Sequence, residues 1–152
     1  MTAPIPQNPD FEARVRDSFA RQPFMDLLGA EMTAVGPGMV EIRLPYREDL
    51  CQQHGYFHGG AIGTLADNAG GYAAFTLMAA KDSVLTVEYK MNIVAPGRGD
   101  ALVAVGTVLK PGRRLTVTEV KVYGEKDGVR KLCATAISTL MTMEDMSDDK
   151  AA

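Results

Sequence analysis

The chain is poor in the residues that build metal sites and disulfide frameworks. It holds two histidines and two cysteines in 152 residues. Cys51 and Cys133 lie far apart, and with His54 and His58 they give no zinc-ligand spacing. Metal independence is therefore expected, with no cofactor. Two buried thiols in a reducing, cytoplasmic setting fit the cysteines. Positive charge is not in excess: 16 Lys and Arg stand against 19 Asp and Glu. Without a basic stripe, nucleic acid is not an expected partner. No apolar run is long enough to cross a bilayer, so no membrane partner is expected. The opening MTAPIPQNPD lacks the basic region and apolar core of a signal peptide. A G-x-S-x-G elbow and a phosphate loop are also missing, which excludes the chemistries they carry.

What remains is long enough for one domain with a real core. Residues 1–9 are Pro-rich and expected to be loose, and the acidic stretch 144–152 is expected to fray. In DFEARVRDSFARQ, Asp10 can cap a short helix with Phe11, Val15 and Phe19 at helical spacing. AEMTAVGPGMVEIRLPY reads as a hairpin turning at Gly36-Pro37-Gly38. One long helix is predicted from Gly59 to about Ala80. Four strands follow, at 84–94, 101–109, 115–123 and 131–143, joined by Pro/Gly turns. Hairpin, long helix and antiparallel meander together indicate an α+β fold, with the sheet wrapped on the helix. The helix is rich in Ala and Gly, which lets strands approach closely. Gly70 and Gly71 each cost it roughly 1 kcal/mol relative to Ala, so packing or room for a ligand should compensate.

The stretch HGYFHGGAIGTLADNAGGYAAF carries the candidate chemistry. Gly59 and Gly60 open the helix, where backbone N–H groups have no intrahelical partner and the dipole is positive. Either they make a tight turn, or their donors polarise a carbonyl and stabilise an oxyanion. Asp67 sits among small and apolar neighbours. With Asn68 it belongs to a solvated helix face, or it is a general base or nucleophile aimed at an acyl carbon. Gly59 and Asp67 are eight residues apart, which is about 12 Å along a helix axis. One helix cannot bring both to one carbonyl, but two antiparallel copies related by a twofold axis can. A catalytic site of this kind requires a homodimer.

These residues, with TVEYKMNIVAPGRGD and VLKPGRRLTVTEVKVY, resemble the hotdog-fold acyl-CoA thioesterases of the phenylacetate-pathway (PaaI) type. The resemblance runs from about Phe24 to Met143. It implies an acyl-CoA substrate hydrolysed to carboxylate and free thiol. It places the carbonyl-polarising N–H on Gly59, the acid on Asp67, and a bracing or orienting role on His58. Gln52 stands where members often carry Asn, so Gln52, Gln53 and His54 are all candidates for holding the carbonyl. Thr86, ten residues before Pro96, keeps a hydroxyl that helps position water. Gly60 and His54 are further substrate-binding candidates. Lys110, Arg113, Arg114 and Arg98 are candidates for the nucleotide end of CoA, against a plain reading as solvated charges. A tetramer built as a dimer of dimers is implied by the resemblance alone.

Two alternatives share the fold. A hotdog hydratase or dehydratase would use a catalytic His, but His58 precedes the helix and none lies within it. A non-catalytic acyl-CoA-binding module would not need Asp67 and Thr86. The strand face of Thr86, Glu88, Lys90 and Asn92 is expected to alternate with Leu85, Val87, Tyr89, Met91 and Ile93, and Glu88 to form an ion pair with a neighbouring strand. The acyl group itself is left open between aryl-acetyl and aliphatic chains.

Overall fold

The computed structural model describes residues 4–146 and 148. Helix α1, Phe11–Ala20, buries Val15, Ser18 and Phe19. Asp10 stands at its N-cap, but its side chain makes no capping bond. Instead Asn8 Oδ1 accepts the Asp10 N–H at 3.0 Å. A second helix, α2, covers Pro23–Leu28 and was not expected. It is too short for a periodic signal. Its local marks are Pro at the first helical position and Gly29 at the end with φ 74°.

The hairpin forms as predicted, from β1 (Glu31–Gly36) and β2 (Met39–Pro45). A 3-10 turn at Glu48–Leu50 leads to the central helix α3, Gly59–Phe75. α3 stops five residues before the expected Ala80. The buried Thr76 hydroxyl donates to Ala73 O at 2.6 Å and accepts the Gly38 N–H at 2.8 Å. Past it the bonds tighten to i→i−3, Leu77 N–H to Ala74 O and Met78 N–H to Phe75 O. The helix end is thus tied to the hairpin turn.

β3 (Ser83–Ile93), β4 (Ala101–Lys110), β5 (Leu115–Lys126) and β6 (Val129–Met143) follow. Among the described residues, six strands form one antiparallel sheet in the order β1-β2-β4-β5-β6-β3. The meander is therefore β4–β5–β6 alone, and β3 crosses to the far edge to pair with β6. The sheet packs on α3, as the α+β hotdog expectation required. Ile62, Leu65, Ala66 and Ala69 of α3 meet the inner residues Ile42, Leu102, Val120 and Leu140. Contact is close: a Cβ at Gly106 would lie 2.2 Å from Ala69 O.

The register of β3 against β6 slips between Thr86 and Glu88, leaving Val87 as an extra residue. This bulge overturns the expected alternation. Thr86 reaches α3 before it; Tyr89, Met91 and Ile93 reach α3 after it. Among the described residues Glu88 has no ion-pair partner; it accepts the Thr139 hydroxyl at 3.1 Å.

Of the two ends expected to be loose, the described parts touch the fold. Asn8 is buried, and Gln7 N–H bonds Leu77 O. Lys81 pairs with Asp145, and Ser83 donates to Asp148. Residues 1–3, 147 and 149–152 lie outside the described residues. Among the described residues, no helix is long and apolar enough to cross a membrane.

Candidate active site

The chain approaches α3 through a loop closed by backbone bonds. His58 N–H bonds Leu50 O at 2.9 Å, and Phe57 N–H bonds Gly97 O at 3.0 Å. His58 is the N-cap, in extended conformation, and its Nδ1 accepts the Gly60 N–H at 2.8 Å. The N–H groups of Ala61 and Ile62 go to His58 O. Among the described residues, this leaves the Gly59 N–H without an acceptor at the positive end of a 17-residue helix. The two glycines therefore differ. Gly60 is committed to the cap, so its N–H is not free for a substrate. His58 braces the turn.

Gly59 lines a cavity of about 430 Å³ with Gln52, Tyr56, Ile62, Ile93 and Pro96. Gln52 Oε1 accepts the His54 N–H in a short bond, which occupies the amide oxygen. Gln53 and His54 are exposed and line neither this cavity nor that of Asp67.

Asp67 lies two turns further along α3. Its Oδ1 accepts the Thr86 hydroxyl at 2.7 Å. The β3 bulge makes this contact, because it lets Thr86 face the helix. Asp67 opens into a different cavity, of about 720 Å³, shared with Asn68, Gly71, Gln22, Val84 and Thr86. One wall is the Tyr72 hydroxyl, which accepts from Gln22 Nε2 at 2.8 Å and shares a 3.1 Å bond with Ser18 Oγ. Burial raises the Tyr72 pKa, so it stays a neutral phenol. In one chain Gly59 and Asp67 thus open into separate cavities.

The cationic candidates divide as well. Lys110 ends β4, and Arg113 and Arg114 occupy the exposed β4–β5 turn, at the opposite end of the sheet from Gly59. Arg98 is at the Gly59 end. It lies over the Tyr56 ring, 4.3 Å from guanidinium carbon to centroid, and donates to the Tyr56 hydroxyl. Arg98 lines a third cavity with Lys126 and Lys131, and with the acids Asp100 and Asp127. This cavity and that of Gly59 share Ala95 and Pro96. Lys126 and Lys131 were missed in the sequence, where EKDG signalled only a turn; the hairpin fold brings them beside Arg98. Among the described residues, no group of three His, Cys, Asp or Glu could hold a metal.

The sequence profile of the thioesterase superfamily matches residues 54–131, a span that includes Gly59, Asp67 and Thr86. A thioesterase family protein from Silicibacter pomeroyi is 46% identical, with a TM-score of 0.86, over 88% of this chain and 98% of that one. A candidate esterase of Saccharolobus solfataricus is 28% identical over 137 residues, 90% of this chain and 89% of that protein. The PaaI protein of the E. coli phenylacetic acid degradation operon has the same fold, with a TM-score of 0.81 at 17% identity over 91% of this chain and 97% of its own. The helix cap, the free Gly59 N–H and the Thr86-held carboxylate all sit within the matched span, and the chain belongs to the thioesterase superfamily as a thioester hydrolase.

Proposed function

We propose that the substrate is an acyl-CoA and that each site is completed by a second copy of the chain. The observation that carries this reading is the separation of Gly59 and Asp67 into different cavities of one chain. A free donor is useful where a carbonyl oxygen gains charge. A carboxylate fixed through one oxygen is useful where water must lose a proton. Neither half does the other's work.

The sheet supplies a means of joining them. β3 is an edge strand of 11 residues. Leu85 is 50% exposed and Val87 54% exposed, with Ile93 and Val94 similarly bare. An apolar edge of this length is a template for another strand. Pairing two β3 edges about a twofold sets two α3 helices antiparallel, with Gly59 of one chain near Asp67 of the other.

Hydrolysis then proceeds as follows. The Gly59 N–H holds the thioester oxygen, with Gln52 beside it. Asp67 across the twofold takes a proton from water, and the water oxygen bonds to the carbonyl carbon. The tetrahedral intermediate collapses, the C–S bond breaks, and the thiolate leaves with the proton that Asp67 returns. Water and thioester are consumed; carboxylic acid and free CoA are released. From Gly59 the CoA arm runs past Ala95 and Pro96 to Arg98, Lys126 and Lys131. The use of His58 Nδ1 as the helix cap supports hydrolysis over hydration. No metal enters any step. Two such dimers would build the tetramer.

A complementation experiment tests the composite site. Gly59→Pro removes the N–H at the first helical position, where Pro is tolerated. His58, with φ −62° and ψ 140°, already has the backbone that Pro requires before it. Asp67→Asn removes the base. Each variant alone should lose about 100-fold or more in kcat. Refolded together, they should recover about a quarter of wild-type activity: half of the dimers are mixed, and one of two sites in each is intact. No recovery on mixing would place both groups in one chain and refute the composite site.

A further inference from the structure

Two adjacent glycines interrupt α3, and packing accounts for one of them. A Cβ at Gly70 would lie 2.8 Å from Thr118 Oγ1 and 3.2 Å from Val120 Cγ2. The sheet leaves no room there for a methyl group. A Cβ at Gly71 would meet nothing within 4 Å, and Gly71 has no positive φ that would call for glycine. A glycine inside a helix is destabilising relative to alanine. Among the described residues, neither backbone conformation nor neighbouring atoms explain Gly71.

Its position supplies a reason. Gly71 follows Asp67 by four residues, so the two share a helix face. Both line the cavity of about 720 Å³ into which Thr86 also opens. Pro23, Val84 and Leu85 add apolar wall to this cavity, and Ser18, Arg21, Gln22 and Asp148 add polar wall. Its size falls within the range of small-molecule sites. Resting on the hydrolysis reading above, the scissile carbon lies at Asp67. Gly71 is then about 6 Å further along the helix axis, the reach of a few carbon–carbon bonds into the acyl group.

We infer that Gly71 is a specificity-determining residue of the acyl cavity. The space where its side chain would be is occupied by the acyl group, and that space admits groups broader than a linear chain, cyclic or branched, a few bonds from the thioester. The competing occupant is the second copy of the chain, packed over the bare helix.

The test is the ratio of kcat/KM for cyclohexylacetyl-CoA to that for butanoyl-CoA, measured in wild type, Gly71→Ala and Gly71→Val. Sedimentation of each protein is run alongside. Gly71→Ala adds a methyl group into open space and favours the helix, so it provides a folded first step. The ratio should fall stepwise through the series, by at least about tenfold at Val, with the assembly state constant. A ratio that does not move would overturn the inference, as would a wild type that rejects the cyclic substrate. Dissociation of Gly71→Val to a smaller species would also overturn it, by assigning the space to the partner copy. A wild type that hydrolyses no CoA thioester at all would instead overturn the acyl-CoA reading beneath it, so the two failures are distinguishable.

Discussion

Thr86 shows how much of the site depends on one hydroxyl. It donates to Asp67 Oδ1 at 2.7 Å; in the proposed hydrolysis this orients the carboxylate and leaves its other oxygen for water. A hydrogen bond to a charged group contributes about 1.5–3 kcal/mol. If that energy serves the orientation of the base, Thr86→Val should lower kcat by about 10- to 100-fold and change KM much less. Thr86→Ser, which keeps the donor, should restore most of the rate. Steady-state kinetics of the pair decide it: a full rate in Thr86→Val with a loss in Thr86→Ser would mean that the methyl group, not the hydroxyl, matters. Cys133 marks the opposite kind of residue. Burial pushes its thiol up to about 11, so it packs and does not react. Residue types and helix spacing made Gly59 and Asp67 candidates, and the family resemblance added Thr86. Sequence reasoning could not separate Gly60 from Gly59, because the difference lies in where a histidine nitrogen points.

At the scale of elements, the end of α3 and the bulge in β3 set the geometry. Thr76 joins α3 to the β1–β2 turn by accepting the buried Gly38 N–H at 2.8 Å. Thr76→Val keeps the shape and removes the acceptor. A buried donor left unpaired costs about 1–3 kcal/mol. The urea midpoint should therefore fall by that free energy with the denaturant slope held constant; an unchanged midpoint would show that the amide finds water instead. Apolar periodicity in the sequence continues past Thr76, which is why the helix was expected to reach Ala80. The contact that stops it comes from a turn 38 residues away. The bulge at Val87 is equally hidden. Strict alternation through 85–93 is what the sequence displays, and only pairing with β6 reveals which residue is extra.

At the scale of the whole molecule, charge holds distant strands together on the sheet. Arg130 of β6 pairs with Glu41 of β2 at 2.6 Å and with Glu125 of β5 at 3.0 Å. Arg43 adds a 3.3 Å contact to Glu125. The hydrogen bonds from Arg130 are the main reason that Glu41 and Glu125 titrate below the ordinary glutamate value of 4.5. The sign follows from proton binding: below that value the unfolded chain takes up protons before the native state does. The network's contribution is therefore complete above the ordinary value and is lost as pH falls through the lowered ones. Wild type should lose more stability than Arg130→Gln between about pH 5 and pH 3, as urea melts across that range would show. Parallel pH profiles for the two proteins would count against the network.

The sequence by itself determined most of the elements and made Gly59 and Asp67 candidates that one helix holds apart. Periods of two and 3.6 placed the hairpin, the central helix and four strands within a few residues, because each period reflects one solvent-facing and one core-facing side. Helix rise alone separated Gly59 from Asp67 by more than a carbonyl can span. Tertiary structure decided the rest: the order that sends β3 to the far edge, the bulge that turns Thr86 toward Asp67, and the hairpin that gathers Lys126 and Lys131 beside Arg98. Each of these is a relation between segments distant in the chain. A local pattern records which face of a segment avoids water, but it does not record which other segment covers that face.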